Sequence, residues 1–193
     1  MNVSRETQAK LDIYLELLKK WSSKINLVSA SSLKDAARRH FEDSLQLGYL
    51  CPPGARSWVD LGSGGGFPGA VIAIVKPELE VTLIESDQRK AAFLRAVSRE
   101  TNTPLNVIAN RIERADPQNA DVVSARALAP LTDLLSFVEI HRAPRGTALF
   151  LKGATWQNEV VEARKKWRFT CKNHKSETSP DAALLEIGEL SRV

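Results

Sequence analysis

Three glycines at alternate positions, Gly62, Gly64 and Gly66, follow an apolar run ending at Leu61, and the next apolar run closes on a carboxylate, Glu85. Glycine stands where a backbone turns with positive φ or must come very close to another group. A phosphate-cradling loop would read G-x-x-x-x-G-K-[ST]. Gly64 and Gly69 have that separation, but Ala70 and Val71 follow, so nothing there neutralises a triphosphate. The dinucleotide fingerprint G-x-G-x-x-G meets Phe67 in place of its third glycine when read from Gly62. Read from Gly64 it matches through Gly69, but two residues late after the strand. The better fit is G-x-G-x-G directly after a strand, a loop that can lie against an adenosyl group and an amino-acid tail, neither carrying phosphate. Glu85 can then accept hydrogen bonds from both ribose hydroxyls. Together these residues imply a site for S-adenosylmethionine. Asp60 has two readings, a partner for the methionine ammonium or a cap on its own loop, and both stay open.

The elements that must hold these residues follow from hydrophobic period. Leu11, Tyr14, Leu15, Leu18, Trp21 and Ile25 recur at helical spacing, with Ser4 as N-cap. A second helix is expected from Leu33 to Tyr49, ended by "CPPG". Alternation then begins: strands at "SWVDL", "VTLIE", "LNVIA", "DVVSA" and "GTALFL", with helices at Pro68–Val75, "QRKAAFLRAVSRE", "PLTDLLSFVEIH" and "TWQNEVVEARKKW". Strands alternating with helices predict βαβ units and a parallel sheet. "RFTCKN" and "AALLEIG" have no helix between them and predict a terminal antiparallel hairpin. The expectation is an α/β, doubly wound, mostly parallel seven-stranded sheet, residues 57–193, under an N-terminal helical cap, residues 1–56.

Composition narrows the class. The chain has 193 residues, 43% hydrophobic and 26% charged, enough for one α/β domain with an appendage. No apolar run approaches the roughly 18 residues of a membrane span, and the first residues hold no signal-peptide core. Cys51 and Cys171 stand far apart without metal-ligand spacing, and His40, His141 and His174 form no cluster. A cytoplasmic protein with reduced cysteines and no metal is expected, with the monomer as the favoured state. Residues 1–56 carry 9 Lys/Arg against 6 Asp/Glu, residues 57–151 carry 10 against 11, and residues 152–193 carry 8 against 6. The positive excess thus lies outside the glycine-rich core, which favours contact with a polyanion such as nucleic acid.

The ordered blocks "KKWSSKINLVS", "RRHFEDS", "DLGSGGGFPG", "LIESDQRKAAFL", "NRIE", "SARALAPL" and "LKG" give the chain a resemblance to the RsmG/GidB family over roughly residues 10–155. That family comprises bacterial small-subunit ribosomal RNA guanine-N7 methyltransferases. The resemblance implies a class I S-adenosylmethionine-dependent fold, Rossmann-like. It implies a substrate in 16S ribosomal RNA or the small ribosomal subunit, the guanine of the 530 loop (guanine 527). It also implies cofactor contacts at Gly62 and Phe67, at Ile112 and Glu113 in "NRIE", and at Arg126 in "SARAL". Arg126 follows the fourth strand, at the carboxyl edge of the sheet where an open α/β fold holds ligands, and is the expected catalytic residue.

The remaining residues agree with that chemistry. Methylation of exocyclic amines commonly goes with [DNS]-P-P-[YFW] after the fourth strand, where this chain reads "SARALAP". Carbon-5 methylation needs a cysteine nucleophile near the site, and neither cysteine is placed for it. Guanine N7 carries an in-plane lone pair and no proton, so it needs neither base nor covalent catalyst. Lys19, Lys20, Lys24, Arg38, Arg39, His40, Lys152, Lys165 and Lys166 are the candidate RNA contacts. "RRHFEDS" has a second reading, packing the cap on the sheet through Phe41 and Leu45, and Asn26 reads either as a turn former or as a substrate contact. Two rival functions remain: a methyltransferase of another RNA or a small molecule, and an NAD-binding module.

Overall fold

A computed structural model describes residues 3–193. Helix α1 (Arg5–Ser22) starts at Ser4, whose hydroxyl accepts from the Thr7 amide. It lays Leu11, Tyr14 and Leu18 into the core. The expected second helix is divided. A single turn, α2 (Ala30–Leu33), is followed by a π-turn over Ala37–Glu42 that runs into α3 (Asp43–Tyr49). The wider turn lets Arg38 and Arg39 stay exposed while His40 and Phe41 point inward.

Seven strands form one sheet in the order β3-β2-β1-β4-β5-β7-β6. They are β1 (Ser57–Leu61), β2 (Glu80–Ile84), β3 (Asn106–Ile108), β4 (Ala120–Arg126), β5 (Arg142–Lys152), β6 (Trp167–Lys175) and β7 (Ala183–Arg192). β1 to β5 pair in parallel, and β7 runs antiparallel between β5 and β6. The expected architecture is therefore present, closing hairpin included. Helices α4 (Gly69–Val75), α5 (Gln88–Glu100), α6 (Leu131–His141) and α7 (Trp156–Ala163) complete it. α7 ends earlier than its sequence period suggested, because Trp167 is the first residue of β6. β5 starts directly at the end of α6, four residues ahead of its apolar run.

Both faces of the sheet are covered, which is why "SWVDL" reads as an almost unbroken apolar run. Trp58 packs in a cluster shared with Leu11, Tyr14, Phe41 and Phe93. Val59 and Leu61 belong to the opposite cluster with Leu134, Leu135 and Phe150. The cap thus shares one core with the sheet. Strand order reverses between β1 and β4, opening a crevice beyond their carboxyl ends.

Candidate functional site

The glycine loop lies at that crevice. Gly62, Gly64 and Gly66 all have positive φ, at 62°, 56° and 87°. They are not equivalent. A Cβ on Gly62 would come within 2.5 Å of Leu128 Cδ1, and one on Gly66 would collide with the Tyr14 hydroxyl. At Gly64 the nearest atom is the Gly62 carbonyl oxygen at 3.8 Å, so the space there is open. Gly69 serves helix–strand contact, since a Cβ would sit 2.6 Å from that of Asp60.

The loop is clamped from outside by the cap. The Tyr14 hydroxyl donates to the Gly65 carbonyl from a fully buried ring, which stacks on Phe67 at 5.4 Å between centroids. His40 covers the Phe67 ring at 5.0 Å, and the Arg126 guanidinium lies 4.9 Å from its centroid. Nothing in the local sequence joins Tyr14 to a loop fifty residues on; only the helical period that buries Tyr14 points to it.

A cleft of 850 Å³ opens along this loop, lined among others by Gly62, Gly64, Phe67, Glu85, Ile112, Glu113 and Arg126. That gathers seven of the eight residues singled out from the sequence; Gly66 is turned away beneath Tyr14 and Leu94. Glu85, 6% exposed, accepts from the Gly64 amide and the Asp87 amide, one on each carboxylate oxygen, both at 2.8 Å. Each oxygen keeps a lone pair for a further donor. Ile112 is buried and Glu113 exposed at the opposite wall. That wall is held from behind by fully buried His141, whose Nε2–H donates to the Ile112 carbonyl at 2.9 Å. Phe137, Ala127 and Leu128 also line the cleft. They belong to the fourth βα connection and α6, where the sequence shows only an ordinary apolar pattern.

Asp60 does not line the cleft. It is fully buried; Oδ1 accepts from the Ser124 hydroxyl at 2.7 Å, and Oδ2 has no partner. Burial pushes its pKa up to about 6. The Ser63 hydroxyl bonds the Asp60 carbonyl at 3.1 Å. Ser63 and the Gly69 amide, both at the loop, temper the rise of the carboxyl pKa, in keeping with the reading of Asp60 as a support of its own loop.

Arg126 is held on several sides. Nη1 donates to the Arg39 carbonyl at 3.0 Å and to His40 Nδ1 at 2.9 Å, and Asp43 Oδ2 lies 3.6 Å away. Because arginine can only donate, His40 Nδ1 is the acceptor and Nε2–H faces the Ser32 hydroxyl at 3.0 Å. Burial, then Arg126 and Arg39, lower the His40 pKa to about 4. His40 is therefore a neutral, buried support for Arg126, which corrects its reading as an RNA contact. Lys152 is corrected likewise: it is buried, with Nζ 2.5 Å from Glu159 Oε2 and 3.0 Å from the Ala129 carbonyl. Lys19 and Lys165 sit in exposed pairs with Glu16 and Glu162, a geometry that leaves them largely free to exchange partners. Asn26 is exposed beside Lys24, Asp87 and Lys90. Among the described residues no three His, Cys, Asp or Glu side chains are grouped as a metal site requires, and no helix is long and apolar enough to cross a membrane.

Replacing Glu85 with alanine is expected to weaken binding of S-adenosylmethionine by about 1.5–3 kcal/mol, the range for hydrogen bonds to a charged group. Titration calorimetry reads this directly; an unchanged affinity would remove Glu85 from the ligand's surroundings.

Comparison with known proteins bears on the whole chain. The family described as rRNA small subunit methyltransferase G (GidB) matches residues 7–183. The Ribosomal RNA small subunit methyltransferase G of Paracoccus denitrificans is 51% identical over 188 residues, covering 97% of this chain and 97% of the relative. That of Ruegeria sp. (strain TM1040) is 49% identical over 197 residues, covering 100% and 96%. Among solved structures, M. jannaschii TYW2 in complex with AdoMet aligns with a TM-score of 0.63 at 13% identity, over 89% of this chain and 80% of that one. The mitomycin 7-O-methyltransferase MmcR aligns at 0.62 and 13% identity, over 89% and 60%. These two structures speak for a shared fold.

Proposed function

This chain belongs to the rRNA small subunit methyltransferase G family, and we propose that it methylates N7 of the 530-loop guanine (guanine 527) in 16S ribosomal RNA. It is an S-adenosylmethionine-dependent methyltransferase of the small-subunit RNA. The observation that supports the finer reading is the continuous cleft that runs from Glu85 past the glycine loop to Arg126. Its volume lies within the range of small-molecule sites.

S-adenosylmethionine fits the residues present. Glu85 offers acceptors for the ribose hydroxyls, the open face of Gly64 admits close backbone approach, and Ile112 and Glu113 frame the adenine. The unpartnered Asp60 oxygen beneath the loop supplies negative potential toward the ammonium of the amino-acid tail. When bound, the cofactor provides an electrophilic methyl group. The protein's work is alignment: Phe67 and His40 fix Arg126, and Arg126 fixes the acceptor base against the end of the cleft. Residues 1–56 act as a cap that clamps the catalytic core, 57–193, through Tyr14. The exposed Arg38 and Arg39, with the basic face at Lys20 and Lys24, meet RNA phosphates. We place the protein in the cytoplasm, acting as a monomer and without metal.

The direct test is transfer of labelled methyl to small-subunit RNA and to assembled subunits, followed by mapping of the modified base. A label found only on small molecules in a metabolite extract would overturn the reading. The pH profile tests the acceptor atom. His40 titrates near 4 and Asp60 near 6, and N7 loses no proton, so single-turnover rate is expected to stay flat between about pH 6.5 and 9. A tenfold rise per pH unit across that window would exclude N7.

A further inference from the structure

A second cleft of 590 Å³ adjoins the first and shares with it Arg39, Arg126 and Ala127. Arg126 therefore stands on the boundary, with one cleft on each side. Both hydrogens of Nη1 are committed, to the Arg39 carbonyl and to His40. Nε–H and the two Nη2 hydrogens have no partner among the described residues. Next along the wall of the second cleft comes Asp43. Its Oδ1 accepts from the Thr178 hydroxyl at 2.7 Å and from Gln46 Nε2 at 3.3 Å. Its Oδ2 faces Arg126 Nη1 at 3.6 Å as a loose ion pair and keeps lone pairs for a further donor. Lys152 and Glu159 also line this cleft, but as a closed pair. Asp35, Arg38 and Arg39 line the exposed mouth. Deeper in the cleft two groups stand side by side for a ligand: a donor edge on Arg126 and an acceptor on Asp43.

Guanine presents the complementary order along its edge: N7 and O6 accept, then N1–H and the 2-amino group donate. We propose that the second cleft seats the target guanine out of its stack, with the free edge of Arg126 donating to O6 and Asp43 Oδ2 accepting from the 2-amino group. N7 then lies at the boundary, facing the first cleft. Adenine would set its 6-amino donor against the arginine and leave the aspartate unmatched, so the pair selects guanine. Extrusion of a base into a fitted pocket is how enzymes reach atoms buried in a stack. Arg38 and Arg39, exposed at the mouth, hold the flanking phosphates. This proposal rests on the guanine-N7 reading above.

The test is a chemical double-mutant cycle with the full chain and small-subunit RNA carrying guanosine or inosine at the target, inosine lacking only the 2-amino group. Asp43→Ala also removes an ion-pair partner of Arg126 and so slows both RNAs, but it is expected to lower kcat/KM on guanosine RNA roughly tenfold to a hundredfold more than on inosine RNA. Asp43→Asn, which keeps an oxygen for Thr178, is carried in parallel, and calorimetry with S-adenosylmethionine reports that each variant is folded. Equal slowing on both RNAs by a variant that still binds cofactor overturns the proposal alone. A wild-type protein that leaves the guanosine RNA unmodified overturns the guanine reading, and this proposal with it.

Discussion

Replacing Gly66 with valine is expected to abolish measurable cofactor binding and to lower the melting temperature by on the order of 10 °C. Two costs add. At φ 87° a β-branched residue is strained, a penalty of about 1–3 kcal/mol. The new side chain also enters a space closed by the Tyr14 hydroxyl, by Ala70 Cβ at 3.0 Å and by Leu94 Cδ2 at 3.1 Å, and overpacking of that kind costs a further 1–3 kcal/mol or so. A chain of this size loses roughly 2–4 °C per kcal/mol. The loop can escape only by breaking the bond from Tyr14 to Gly65, and that releases Gly64 from its place against Glu85. Gly64→Ala is the informative contrast, because φ 56° costs it strain but the space is open. It is expected to lose little more than about 1 kcal/mol of stability. Thermal melts and calorimetric titration decide between them. If Gly66→Val binds and melts like wild type, the clamp is not what shapes the loop.

Replacing Arg126 with alanine is expected to slow methyl transfer by about a hundredfold to a thousandfold, the scale seen when one preorganised donor is removed from a reacting centre. The side chain is 16% exposed and already bound by Arg39, His40 and the Phe67 ring. Its orientation is thus fixed before substrate arrives. Arg126→Lys keeps charge but loses the planar fork, so it should recover little of the loss. Neither variant should introduce a pH dependence above 6.5. Single-turnover measurement at saturating cofactor and RNA is the check. A rate within threefold of wild type for Arg126→Ala would remove the arginine from the reaction.

The parts of this fold that were legible in the sequence are those fixed by neighbours a few residues apart. "SWVDL" and "QRKAAFLRAVSRE" appear as β1 and α5 with the expected limits, because a strand buried on both faces and an amphipathic helix each write their own period. The glycine spacing and the carboxylate after β2 were legible for the same reason. What was illegible is contact across distance. His40 looks like one more base in "RRH", yet the π-turn rotates it inward under Arg126. Lys152 looks like a free cation until α7 brings Glu159 over it. The start of β5 and the end of α7 are not written locally, because pairing with β4 and with β7, not local propensity, sets where β5 and β6 begin.

The link from Lys175 to Ala183 folds back on the first helices. Glu177 donates its amide to Gln46 and Thr178 its hydroxyl to Asp43, bonds that span more than a hundred and thirty residues. During synthesis the two clefts must therefore mature at different times. The residues of the first all lie between Leu27 and Phe137, whereas the second also requires Thr178, Ser179 and Ala182. Chains emerge N-terminus first at about 5–20 residues per second. A nascent chain can thus hold every residue of its cofactor cleft seconds before the last wall of the adjoining cleft exists. On the acceptor seat proposed above, translation through Ala182, not of the glycine loop, sets the moment at which a new copy becomes competent to take up its acceptor.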